Sequence, residues 1–84
     1  MKVENTHKIE SLTTDSNVGE IIARCISEVF HVQDQEPIRL LDWIGQNNRS
    51  YQEYLDVVER VANITLINPI DLFVPLANVV ISDE

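Results

Sequence analysis

Glycine, cysteine and positive charge are all scarce in this chain. Its 84 residues include two glycines, one cysteine, three prolines, one tryptophan, two tyrosines and two phenylalanines. Gly19 and Gly45 stand far apart, which excludes a glycine-rich phosphate loop. Cys25 has no second cysteine to pair with, and with only two histidines beside it no zinc set can be built from cysteine and histidine alone. Six lysines and arginines stand against fourteen aspartates and glutamates, a net charge of −8. That charge disfavours nucleic-acid phosphates and anionic membranes as partners and favours basic ones. Long apolar runs are missing too. Leu72 to Ala77 and Val79 to Ile81 are too short to span a bilayer, and the first fifteen residues lack the apolar stretch of a signal peptide. The expectation is a cytoplasmic protein.

What is present is aliphatic. Apolar residues make up 44% of the chain, above the level of disordered sequences. The length suits one small domain, residues 1–84. A core of that size is marginal, so burial on a protein partner or on a second copy is expected.

Residues 1–14 carry a broken apolar spacing and read as a flexible tail or a short edge strand. Val18, Ile21, Ile22, Cys25, Ile26, Val29 and Phe30 recur at i, i+3, i+4, i+7, i+8, i+11 and i+12, which predicts a helix over 17–31. Asn17 with Glu20 fits a capping box. Glu20, Arg24 and Glu28 stand four apart on the opposite face, suited to a charge ladder. The same neighbours suggest that Cys25 is a buried thiol. Pro37, Leu40, Leu41 and Ile44 predict a short helix over 37–44, ended by Gly45. Ser50 with Glu53 fits a second capping box, and Tyr51, Tyr54, Leu55, Val58, Val61 and Ala62 predict a helix over 51–62. Val57 and Ile64 widen its apolar face, and Asp56 and Arg60 are spaced for an i,i+4 pair. Asn68 and Pro69 signal one more helical turn over 69–74, which Pro75 ends, and Val79 to Ile81 favour extended chain. The fold expected is mainly α, a bundle of three or four helices with partly extended ends. The alternative is α+β, with the N- and C-terminal strands paired.

Candidate chemistry is thin, and an enzyme is not expected. His31, Asp34 and Glu36 could share a cation in a loop, but a solvated helix end explains them as well. Helix, glycine-containing turn and helix across Pro37 to Ala62 resemble a helix-turn-helix. Yet the would-be recognition helix offers Gln52, Glu53, Asp56 and Glu59, which repel phosphate. Trp43, Tyr51 and Tyr54 cluster around the turn and are residue types that anchor interfaces.

In size, acidity and helix count the chain resembles the acyl carrier proteins, over roughly residues 17–80. Ser50, opening an acidic helix, falls where that family carries its phosphopantetheine arm, and the resemblance implies that Glu53, Asp56 and Glu59 would dock basic enzymes. The family's Asp-Ser-Leu motif is replaced here by Arg49-Ser50-Tyr51. The reading adopted is a non-enzymatic protein-interaction module without cofactor or metal: an inhibitor, adaptor or antitoxin-like protein, with self-association possible. Its partner-binding residues would be Trp43, Tyr51 and Tyr54, rimmed by Glu53 and Asp56. The alternatives are an acyl carrier modified on Ser50 and a helix-turn-helix DNA-binding protein.

Overall fold

The computed structural model describes residues 1–83, so Glu84, the end of the expected extended tail, lies outside it. In chain order the elements are β1 (Lys2–Glu4), α1 (His7–Glu10), α2 (Val18–Val29), β2 (Ile38–Arg39), α3 (Leu40–Gln46), α4 (Tyr51–Thr65), α5 (Pro69–Ala77) and β3 (Val80–Ser82). The molecule is mainly α, as expected, and its two ends follow the alternative reading: they are strands paired with each other. β3 lies between β1 and β2, antiparallel to both. Ile81 stands opposite Val3 on one side and Ile38 on the other, so one central aliphatic position joins three segments distant in sequence. No helix among the described residues is long and apolar enough to cross a membrane.

The core lies between the helices and the inner face of this sheet. α2 packs chiefly on α4, as their matching stripes require. Val18, Ile22, Cys25 and Ile26 of α2 meet Val57, Val58 and Val61 of α4 in one buried cluster. Cys25 is buried as expected, and burial pushes its thiol pKa upward, with Glu28 adding to the rise.

Several boundaries depart from the expectation. The first segment is the short edge strand of the second reading only over Lys2–Glu4. After β1 it forms the single turn α1, which drives Ile9 fully into the core. Asn17 does not cap α2 with its side chain; instead the Asp15 carboxylate accepts the Asn17 N–H at 2.9 Å. Pro37 does not open a helix. Ile38 and Arg39 are drawn into the sheet, the Leu40 N–H reaches the Val79 carbonyl at 2.8 Å, and α3 starts only at Leu40. Gly45 lies inside α3, and the left-handed residue of that turn is Asn48. α4 runs three residues beyond Ala62 to Thr65, whose hydroxyl donates to the Val61 carbonyl. The expected charge ladder along α2 gives way to a contact between helices, because Glu28 accepts from Arg60 at 3.2 Å.

α5 differs most. It continues through Pro75 to Ala77. Proline removes one N–H from the helix ladder. The last turn is held by burial of Leu72, Leu76 and Ala77 and by the Tyr54 hydroxyl of α4, which donates to the Phe73 carbonyl.

Candidate docking surface

The caps that fix α4 and α5 are those the sequence signals. The Ser50 hydroxyl accepts the Glu53 N–H at 3.2 Å while the Glu53 carboxylate accepts the Ser50 N–H at 3.0 Å, a complete capping box. Asn68 accepts the Ile70 N–H at 3.0 Å, with Pro69 at the first helical position. Three residues, 66–68, join the two helices and set them side by side.

The aromatic cluster proposed around the turn does not form one exposed patch. Trp43 is only 4% exposed, with its ring 5.1 Å from that of Phe30. The inward face of α3 is Leu40, Trp43 and Ile44, with Leu41 turned outward; Pro37, which the expected stripe included, is not part of the helix. Tyr54 is buried as well, with its ring edge-on to Phe73 at 5.3 Å. Burial raises the Tyr54 pKa, against an opposing contribution from the Ala77 N–H. Tyr51 alone of the three presents its ring to solvent, leaning on Phe73 at 5.9 Å.

The two carboxylates expected at the rim are engaged within the fold. Glu53 takes the Arg49 guanidinium, which lies over the Phe30 ring at 5.2 Å. This pairing and the Ser50 cap hold the Glu53 carboxyl down at about 2. Asp56 pairs with Arg60 at 3.1 Å, the expected i,i+4 contact, and Arg60 also reaches Glu28. Ser50 is exposed, but its hydroxyl is occupied as the helix cap. His31, Asp34 and Glu36 are each exposed, and among the described residues no three histidine, cysteine or acidic side chains are grouped to hold a metal.

The surface that does assemble lies on α4 and α5. One groove of about 440 Å³ runs between them, lined on one wall by Tyr51, Leu55 and Val58 and on the other by Ile70, Phe73 and Val74. A second, of about 480 Å³, lies between α3 and the same helices, bordered by Leu41, Ile44 and Ala77. Tyr51, Phe73 and Val74 line both and form a ridge between them. Glu59 is the carboxylate lining the first groove, and Arg49, already paired with Glu53, borders the second. Ile70 is 82% exposed and Val74 65%.

The sequence did carry a signal for this face. From Pro69 to Ala77, α5 has one polar side chain, Asp71. A helix apolar on nearly every side cannot hide all of them against one core. Leu72 and Leu76 bury inward, which leaves Ile70 and Val74 outward. Pro75 masks that signal in the sequence, because a proline there marks a helix end and divides the apolar run. Set against protein-family models, curated proteins and solved structures, the chain matches none.

Proposed function

We propose that this protein is a non-enzymatic interaction module that docks a partner protein through the α4–α5 face, acting as an inhibitor, adaptor or antitoxin-like protein in the cytoplasm. One observation carries the reading. α5 is apolar around most of its circumference, yet it lies at the surface with Ile70 and Val74 exposed over two adjoining grooves. Exposed apolar surface of this kind, concave and continuous, is what partner binding covers. In this reading Tyr51 keeps the anchoring role expected of it and Tyr54 supports the face from beneath, whereas Trp43 lies in the core against Phe30 and takes no part. The remaining surface charge of an acidic chain disfavours DNA or anionic lipid as the partner.

Ile70→Glu and Val74→Glu place a charge on an already exposed position, so folding stability should change by less than about 0.5 kcal/mol. In a pull-down from the host, proteins retained by the wild type should be lost by both variants. Retention of every partner by both variants would overturn the reading. Intact-mass measurement of the chain purified from its host should give the unmodified mass; an added phosphopantetheine removed by Ser50→Ala would instead establish a carrier.

A further inference from the structure

The groove between α4 and α5 has the form that receives a third helix. Tyr51 and Leu55 stand i,i+4 on one wall and Ile70 and Val74 stand i,i+4 on the other, two rows between which a ridge of side chains can lie. α5 has nine residues, a length of about 13 Å, so the groove accepts about two and a half helical turns and three apolar anchors. The charged side chain that lines it is acidic, and Lys8, which shares a separate pocket with Val74, Pro75 and Asn78, lies outside the groove. Glu59 lines the groove, Asp71 follows Ile70 and is exposed, and Arg49 nearby is taken by Glu53. The whole chain adds a background of −8. A second copy fits less well: a stable homodimer covers about 800 Å² on each partner, one-sixth of this molecule's 5079 Å², and brings a second −8 to the contact.

Resting on the docking reading above, we infer that the occupant of the α4–α5 groove is a short amphipathic helix of another protein, its apolar stripe flanked by lysine or arginine. The apolar side chains of that helix fill the space over Phe73, and its cations face Glu59 and Asp71.

The test uses the full chain and three synthetic 14-residue peptides followed by fluorescence anisotropy. One carries leucine at i, i+3, i+4 and i+7 with flanking lysines. The second replaces those lysines with glutamate, and the third scrambles the first. The patterned lysine peptide should bind about tenfold or more tighter than either of the others, and the gap between lysine and glutamate peptides should narrow as salt rises. Ile70→Glu should weaken it about tenfold. That variant makes the protein more acidic, so diffuse attraction to lysine would change in the opposite direction. Glu59→Gln should weaken it about two- to threefold. Equal binding of lysine and glutamate peptides, lost in Ile70→Glu, would overturn the charge assignment and leave the docking face intact. Equal binding of the scrambled peptide would overturn the helical occupant. Failure of all three peptides, together with a concentration-dependent dimer that Ile70→Glu dissociates, would replace the helix with a second copy. A monomer that binds no peptide and loses no host partner on Ile70→Glu would overturn the docking reading itself.

Discussion

At the residue scale, Leu66 stands apart. Among the described residues four non-glycine positions have positive φ: Asn5, Asp34, Asn48 and Leu66. Asparagine and aspartate tolerate that region, but a leucine there presses its Cβ against the backbone, at a cost of about 1–2 kcal/mol. Leu66 closes α4 with φ 62°, donates its N–H to Ala62, and leaves its side chain 88% exposed. Little packing offsets the strain, so Leu66→Gly should stabilise the protein by about 1 kcal/mol and raise Tm by roughly 4–8 °C in a thermal melt. A lower Tm would assign the exposed leucine a packing role in the fold. Glu53 gives a pH prediction. Its carboxyl titrates near 4.5 when unperturbed and at about 2 beside Arg49 and Ser50. The stability from this pairing is fully present above pH 4.5 and is lost as pH falls through about 2. Denaturant midpoints measured across that window should fall less steeply for Glu53→Gln than for the wild type.

At the scale of elements, the link between α4 and α5 is polar as well as apolar. The Tyr54 hydroxyl of α4 donates to the Phe73 carbonyl of α5. Tyr54→Phe should cost about 1–2 kcal/mol and speed amide exchange in α5 more than in α2. This contact also explains what the sequence could and could not disclose. The stripes of α2 and α4, the caps at Ser50 and Asn68, and the Asp56–Arg60 pair are local patterns and were legible. The continuation of α5 past Pro75 depends on Tyr54, nineteen residues before the Phe73 carbonyl it reaches, and the capture of Ile38 and Arg39 into a sheet depends on the distant strand that holds Val80 and Ile81. Local propensity has no access to either. The candidate face was legible only in part. Tyr51 was singled out from its type and place, whereas Ile70 and Val74 became visible once α5 was known to be a full helix with an uncovered side.

For the whole molecule, charge and core are arranged separately. The inside is almost wholly apolar; three of the arginines, Arg39, Arg49 and Arg60, are held at the surface by acidic neighbours. Such exposed pairs contribute about 0–1 kcal/mol each, so the fold depends on burial. Ile81 is the test: fully buried, it stands opposite Val3 of one outer strand and Ile38 of the other. Ile81→Ala should cost about 2–5 kcal/mol in chemical denaturation, a large share of the stability of a domain this small. The placement of that strand has a further consequence for how the protein is made. β3 is the central strand, yet it follows both of its neighbours in sequence. On the ribosome, β1 and β2 emerge with nothing to pair with. The helices can form as they appear, but the sheet must wait for Ser82 to clear the exit, so the nascent chain holds two open strands until translation has passed its last paired residue.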